Sequence, residues 1–249
     1  MEEKRYQPIW QENYPIDSYG IDYKSQLRFN LLTAIIQDAA WKHAEHLDYG
    51  YEQMSEQGLA WMLSRMLLKM KRIPKWTDTL RIETWPKGLE RLFYLRDFNL
   101  YDQTGELIGQ VTSYWLLVNM KVKRPVLDPH GHDIFKLNER KHALDTKLDK
   151  LPAVDPEISK ELNITYSDLD INHHVNSNRY VEWMLDMFPL EFHKKHLISE
   201  FQIEYLHEVR YGEKVNLSYQ KTAEDSYLME GRINNNIPGF RARIVWTTI

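Results

Sequence analysis

Residues 168–186 read DLDINHHVNSNRYVEWMLD, and this stretch joins a dense polar cluster to an amphipathic helical pattern. Asp, Asn and Ser ahead of a helix commonly form turns or caps, and Asn176 fits that role. Asp170, Asn172 and His174 alternate along the chain, so in an extended segment their side chains would point to one side. The stretch therefore predicts either a turn that caps a helix or a polar site at its start.

The N–H groups at the start of this helix add to the second interpretation. The first amides of a helix have no partner within it and carry a partial positive charge. We expect the amides near Val175 and Asn176 to polarise a substrate carbonyl.

A second long helix is predicted over residues 31–47, with Asn30 as its N-cap. Its apolar positions recur at helical spacing: Leu32, Ile35, Ile36, Ala39, Ala40 and Leu47. Both helical patterns lead into segments rich in β-branched and aromatic residues and separated by turn-like residues, which is typical of antiparallel strands.

The order of these elements repeats. WTDTL at 76–80 matches YGEKV at 211–215, whereas the helix starts SQLRFN at 25 and NHHVNS at 172 are 147 residues apart. An internal duplication of a helix-plus-sheet unit is the simplest explanation. We predict an α+β fold with a unit at 1–125, a proline-rich linker at 126–160 and a unit at 161–249, whose first strand covers 162–166.

The composition of the chain excludes several classes of function. The chain has 249 residues, 43% of them hydrophobic and 27% charged, and its net charge of -4 argues against nucleic-acid binding. No apolar run is long enough to span a bilayer and the N-terminus has no signal-peptide pattern, so we expect a cytoplasmic location and no membrane association. Cys is absent, which excludes a cysteine nucleophile.

The 168–186 stretch closely resembles the signature of the plant and bacterial acyl-acyl carrier protein (acyl-ACP) thioesterases. In that family a D-x-N-x-H segment leads into the central helix of the second of two tandem hot-dog units. The resemblance continues through residues 61–86, 96–119 and 121–125 and so covers most of the chain in the expected order. It implies a double hot-dog fold, catalytic residues at Asp170, Asn172 and His174, and no cofactor.

The family also places an acidic residue, often followed by Cys, on a strand after this helix. These positions are Glu208 and Val209 here, so a Cys-His-Asn mechanism is excluded and water attack remains. We expect Glu208 to act as general base, Asn172 and His174 to position water and thioester, and Asp170 to orient their segment. Simple alternation along 201–209 opposes this, because it places Glu208 on the face of Gln202 and Glu204.

The duplication predicts one active site per chain. At the matched positions the first unit has Ser25 and Leu27 instead of Asn172 and His174, and Ile73 instead of Glu208. The resemblance implies that the first unit holds the acyl chain instead. Candidate lining residues are Met62, Met66, Trp85 and Trp115, although plain core packing is the commoner role for any one such residue.

A basic cluster between residues 69 and 91 is most simply a set of solvated strand faces, and a docking surface for an acidic partner is the alternative. Candidate docking residues for the acyl carrier protein are Lys69, Lys71, Arg72 and Lys75. We also expect a homodimer, because hot-dog proteins often associate.

Histidine spacing does not support a metal site. The pairs His193/His196 and His130/His132 lack a third ligand at zinc-like spacing, so we predict none.

The leading function is hydrolysis of fatty acyl-ACP thioesters, which terminates chain elongation. The alternatives are an acyl-CoA thioesterase and a non-catalytic acyl-thioester binder or sensor, because a fold alone does not determine function.

Overall fold

The computed structural model describes residues 6–128, 135 and 138–249. The chain forms two compact units. The first comprises Met1–Arg28, Leu32–Ser64 and Ile73–Lys147, and the second comprises Phe29–Leu31, Arg65–Arg72 and Leu148–Ile249. Each unit combines helices with antiparallel strands, as the sequence pattern predicts.

The first unit is built around one long helix. Its elements are β1 (Trp10–Pro15), a 3-10 turn (Ser18–Gly20), α1 (Phe29–His46), α2 (Tyr51–Glu56), β2 (Leu59–Met70), β3 (Thr79–Glu90), β4 (Phe93–Tyr101), β5 (Leu107–Asn119) and β6 (Arg124–Val126). The strand order is β1-β3-β4-β5-β2, with β6 paired to β5. The start of α1 (Phe29–Leu31) and the end of β2 (from Arg65) belong to the second unit.

The second unit repeats this plan. Its elements are β7 (Ile158–Asn163), a 3-10 turn (Tyr166–Asp168), α3 (Ser177–Leu185), α4 (Leu190–Lys195), β8 (His196–Tyr205), β9 (Lys214–Ala223), β10 (Ser226–Ile233) and β11 (Ile237–Thr248). The strand order is β7-β9-β10-β11-β8, the counterpart of the order in the first unit.

The core of the first unit contains a buried polar pair between α1 and β4. Arg96 Nη1 donates to His43 Nδ1 at 2.9 Å, and His43 Nε2 donates to the Gln7 carbonyl at 2.8 Å. Burial and the charge of Arg96 lower the pKa of His43 to about 3, and burial lowers the pKa of Arg96 to about 9. The guanidinium is therefore charged at neutral pH and the imidazole is neutral.

A buried ion pair in each unit holds the segment that follows β6. In the first unit Lys87 pairs with Asp97 at 2.8 Å, and Asp97 accepts the Ala143 amide. In the second unit Arg65 pairs with Glu204 at 3.0 Å, and Glu204 accepts the Leu151 amide. Since these charges are also hydrogen-bonded to the backbone, their burial is compensated.

Two local expectations are wrong. Asn30 lies inside α1, and the N-cap is Arg28, which makes no side-chain cap hydrogen bond. The first strand of the second unit is Ile158–Asn163 rather than 162–166, and a 3-10 turn follows it. Within 6–128, 135 and 138–249, no helix is long and apolar enough to cross a membrane.

Candidate active site

A buried aspartate anchors the chain just before the polar cluster. Asp168 accepts the amide and the hydroxyl of Thr165, each at 2.7 Å, and Arg179 Nε at 2.8 Å. Burial opposes ionisation of Asp168, but these hydrogen bonds outweigh it and hold the pKa of the carboxyl below its usual value. The start of the cluster is therefore fixed against α3.

Residues 170–174 form a closed loop rather than an extended segment. The Asp170 amide donates to the His174 carbonyl at 2.8 Å, and Asp170 Oδ1 accepts the amides of Asn172 at 2.8 Å and His174 at 3.4 Å. His173 has a φ of 61°, the left-handed conformation that closes the loop. The expectation of three side chains on one side of an extended strand is therefore wrong, because Asp170 folds the loop onto its own carboxylate.

The loop brings His174 to Glu208. His174 Nε2 lies 3.0 Å from Glu208 Oε2, with side-chain exposures of 20% and 34%. Arg210 Nη2 contacts the same carboxylate oxygen at 3.3 Å. A carboxylate between an imidazole and a guanidinium, open to water on one side, is suited to accept a proton from a bound water. Arg210 was not among the site residues predicted from the sequence. Its position two residues after Glu208 could have indicated that it lies near that carboxylate.

Glu208 does not follow the alternation of β8. The strand ends at Tyr205, and the amides of Leu206 and His207 both donate to the Gly239 carbonyl, at 2.9 and 3.0 Å. This shared acceptor turns the chain out of the strand. The face assigned to Glu208 by counting from Gln202 and Glu204 is therefore wrong, and the objection to its role disappears.

The amides expected to polarise a carbonyl are already in use. The Val175 amide donates to the Val209 carbonyl and the Asn176 amide to the Asp168 carbonyl, each at 2.8 Å. That part of the expectation is wrong, because the loop needs both bonds to hold its shape. Asn176 is the N-cap of α3 as expected, and its side chain accepts the Asn178 amide at 3.0 Å. Asn172 is exposed on the loop.

The first unit contains the same loop with different side chains. The Asp22 amide donates to the Gln26 carbonyl at 2.7 Å, and Asp22 Oδ1 accepts the amides of Lys24 and Gln26 at 2.8 and 3.0 Å. Ser25 has a φ of 58°. The loops therefore align 148 residues apart, not 147, so Lys24 and Gln26, not Ser25 and Leu27, stand opposite Asn172 and His174.

The match of Glu208 with Ile73 agrees with the hydrogen bonds. The Leu27 amide donates to the Pro74 carbonyl at 2.8 Å, as the Val175 amide does to Val209. The first loop thus keeps the aspartate that shapes it and has no imidazole or carboxylate at the two matched positions.

The four residues expected to line an acyl pocket have different surroundings. Trp85 is fully buried and donates to the Lys141 carbonyl at 2.9 Å. Trp115 donates to Ser113 Oγ at 2.8 Å and packs on a buried cluster of Met54, Tyr94, Leu117 and Phe135. Met66 is buried and counts with the second unit, while Met62 is half-buried in the first. Their contact with an acyl chain stays a prediction.

The expected docking residues are largely at the surface. Lys71 and Lys75 are exposed, Arg72 is half-buried, and Lys69 pairs with Glu200 at 3.0 Å.

Across the described parts of the chain, no three His, Cys, Asp or Glu residues are grouped to hold a metal ion. His130 and His132 lie outside the described residues.

Comparisons with known proteins agree with these observations. The family model for the acyl-ACP thioesterase N-terminal domain matches residues 7–129, and the model for the C-terminal domain matches 152–247. The palmitoyl-acyl carrier protein thioesterase of Gossypium hirsutum is 28% identical over 80% of this chain and 52% of its own length. Oleoyl-acyl carrier protein thioesterase 2 of Arabidopsis thaliana is 27% identical over 83% of this chain and 61% of its own length. The chain thus spans about half to three fifths of these chloroplastic relatives.

Two solved structures match nearly the whole chain. An acyl-ACP thioesterase from Bacteroides thetaiotaomicron has a TM-score of 0.88 at 26% identity, covering 96% of this chain and 98% of its own. The 12:0-ACP thioesterase from Umbellularia californica has a TM-score of 0.85 at 25% identity, covering 98% and 99%. The expected double hot-dog fold is confirmed.

Proposed function

Because the chain belongs to the acyl-ACP thioesterase family, we propose that it hydrolyses fatty acyl-ACP thioesters to free fatty acid and carrier protein. The observation that carries this proposal is the 3.0 Å contact between His174 and Glu208, on a loop with the D-x-N-x-H pattern. The matching loop of the first unit has neither group at these positions, so one active site per chain is proposed.

Glu208 is the proposed general base. Its carboxylate takes a proton from water as the water oxygen attacks the thioester carbonyl carbon. The tetrahedral intermediate then collapses, the C–S bond breaks, and the leaving thiolate takes the proton back from Glu208. One water is consumed, and the products are a fatty acid and the free thiol of the carrier.

His174, Asn172 and Asp170 are proposed to position the base and the thioester. His174 Nε2 bonds to Glu208 and fixes the orientation of the carboxylate. The exposed side-chain amide of Asn172 is proposed to donate to the thioester carbonyl oxygen, where negative charge develops. Asp170 acts through the loop, since its carboxylate binds the amides of both Asn172 and His174.

Contacts are also proposed for the acyl chain and for the carrier protein. The acyl chain lies against Met62, Met66, Trp85 and Trp115. An acidic carrier protein docks on the basic residues Lys69, Lys71, Arg72 and Lys75, all within seven positions of the chain. A cytoplasmic location and a homodimer remain predictions.

The test is fatty acid release from acyl-ACPs, octanoyl to stearoyl, by the wild type, Glu208→Ala and Asn172→Ala. We expect release from some chain length by the wild type and its loss in both folded variants. Faster release from the matching acyl-CoA would show that the protein is an acyl-CoA thioesterase. Tight acyl-thioester binding without release would show that it is a non-catalytic binding protein.

A further inference from the structure

Three large apolar side chains flank the candidate site and are open to solvent. Tyr166 is 88% exposed, Ile171 is 82% exposed and Tyr211 is 68% exposed. They are three of the four most exposed large apolar side chains among the described residues. Single exposed apolar residues are ordinary on protein surfaces, but a group of them beside an active site indicates a surface that another molecule covers.

The backbone joins the segments that carry these side chains. Tyr166 begins the 3-10 turn that ends two residues before the catalytic loop, and Ile171 lies within that loop. The loop is paired with the segment of Tyr211 through a backbone bridge between His174 and Arg210. The three side chains therefore border the catalytic pair from adjoining segments of one unit.

Tyr211 stands at the tip of a tight turn. The Glu213 amide donates to the Arg210 carbonyl at 3.2 Å, and Gly212 has a φ of 85°, a conformation that glycine adopts without strain. The Arg210 amide donates to the Glu213 carboxylate at 2.7 Å, which closes the turn from the other side. The turn thus presents the Tyr211 side chain at the surface, one residue beyond the guanidinium that contacts Glu208 at 3.3 Å.

The first unit repeats this surface without the chemistry. The Asp78 amide donates to the Lys75 carbonyl at 3.1 Å, and the Lys75 amide donates to the Asp78 carboxylate at 2.9 Å. Trp76 stands at the tip of this turn, and Tyr23 follows the aspartate of its loop as Ile171 does; both side chains are exposed. Because the matched positions of this unit have no imidazole and no facing carboxylate, the exposed apolar side chains have a use other than bond cleavage.

The exposure of these side chains favours a folded partner over the flexible arm that bears a thioester. Side chains as exposed as Tyr166, Ile171 and Tyr211 stand out from the surface and form no groove around a thin chain, whereas they can pack against the face of another protein. In the proposed reaction the thioester is attached to a carrier protein. The carrier must therefore approach the surface that borders the catalytic pair.

The charges beside the site also suit an acidic partner. The Arg210 guanidinium is 59% exposed. The carboxylates of the same segments are engaged within the protein: Asp170 accepts two loop amides, Glu208 contacts His174, and Glu213 accepts the Arg210 amide. The guanidinium is thus the charge of these segments that is most available to a partner.

We propose that Tyr166, Ile171 and Tyr211 form a docking surface for the carrier protein beside the catalytic pair. This inference rests on the proposed function and deepens it, because it adds an apolar contact to the basic docking residues proposed above. Burial of these side chains against the carrier stabilises the complex, so they act on binding and not on cleavage of the thioester.

The test measures hydrolysis of one acyl chain attached to ACP, to CoA and to N-acetylcysteamine, which has neither a carrier protein nor most of the arm. Ile171→Ser and Tyr211→Ser are compared with the matched first-unit variants Tyr23→Ser and Trp76→Ser. For Ile171→Ser and Tyr211→Ser we expect KM for the acyl-ACP to rise about tenfold with kcat unchanged. Their rates on the other two substrates, and all rates of the first-unit variants, should match the wild type.

Other outcomes overturn the docking surface. A loss shared by all three substrates would assign these side chains to the catalytic site, and a loss on acyl-ACP and acyl-CoA alone would assign them to the arm. An equal loss in the first-unit variants would remove the link with the catalytic loop. A changed oligomeric state of Tyr211→Ser would show that the surface holds a second copy of the chain.

Binding of holo-carrier protein, measured by calorimetry, separates this inference from the proposed function. We expect Tyr211→Ser to bind the carrier about tenfold more weakly than the wild type. Equal binding by the two proteins would overturn the docking surface alone. A wild type that releases fatty acid from none of the three substrates would overturn the proposed function.

Discussion

The loops Asp22–Leu27 and Asp170–Val175 have one backbone and two chemistries. In each, an aspartate binds the amides two and four residues ahead, and the third residue after it has a positive φ. Only the second loop combines an imidazole with a facing carboxylate. Loop shape is thus set by Asp and backbone hydrogen bonds, whereas the proposed catalysis depends on three exchangeable side chains.

The largest expected effect is at the carboxylate that the first unit lacks. Replacing Glu208 with Gln should lower kcat by about 10³-fold, because an amide cannot accept the proton of the attacking water. Steady-state rates on one acyl-ACP measure this. Glu161→Gln is the matched control, since Glu161 pairs with Lys214 at the surface. Equal rates for Glu208→Gln and the control would remove Glu208 from the mechanism.

The shared aspartate separates structure from chemistry. Asp22→Ala and Asp170→Ala each leave two loop amides without their acceptor, so we expect each to lower the free energy of unfolding by about 1 kcal/mol. Only Asp170→Ala should lower activity, by about tenfold or more, because it disorders Asn172 and His174. Denaturant unfolding and kcat/KM are measured on both. An activity loss in Asp22→Ala would show that the first loop contributes to turnover.

The buried histidine of the first unit should make stability depend on pH. α3 ends at Leu185 and has no counterpart of His43. The pKa of His43 is lowered to about 3 in the folded protein, so the unfolded chain binds its proton first, near pH 6.5. The contribution of His43 to the free energy of unfolding is therefore fully present above about pH 6.5, and it falls by about 1.4 kcal/mol per pH unit below that pH.

Urea unfolding between about pH 5 and 7 tests this. His43→Gln should be less stable at neutral pH but should show a shallower fall, whereas the exposed His142→Gln should keep the wild-type slope. A wild-type slope in His43→Gln would mean that folding does not lower the pKa of His43.

The smallest expected effect is at the position opposite Asn172. Lys24→Asn should leave both kcat/KM and stability near the wild type, because the loop uses the backbone amide of Lys24 and the position that matches Glu208 is Ile73. The same assays apply. A tenfold rate loss would show that the Lys24 side chain contacts substrate or carrier.

The repeated elements could be predicted from sequence because their information is local. Helical spacing identified α1 and α3, and the D-x-N-x-H pattern with Glu208 identified a carboxylate and an imidazole that the structure brings to 3.0 Å. The matching order of helix starts and strands in the two halves of the chain predicted the tandem arrangement.

The parts that sequence could not give depend on distant backbone groups. The end of β8 is set by the Gly239 carbonyl, which accepts two successive amides and ends the alternation before Glu208. The loop shape depends on which amides Asp170 accepts, and that also determines the 148-residue register with Asp22. Once those bonds are counted, the amides of Val175 and Asn176 are no longer free for a substrate.

The central claim is that chemistry belongs to the second loop alone, and exchanging one side chain between the loops tests it most directly. We would measure kcat/KM of His174→Gln and Gln26→His on the same acyl-ACP as the wild type. His174→Gln makes the second loop carry the side chain of the first and should lower kcat/KM by about 10²-fold, while Gln26→His should match the wild type. Equal rates in all three proteins, or a comparable loss in both variants, would contradict the account.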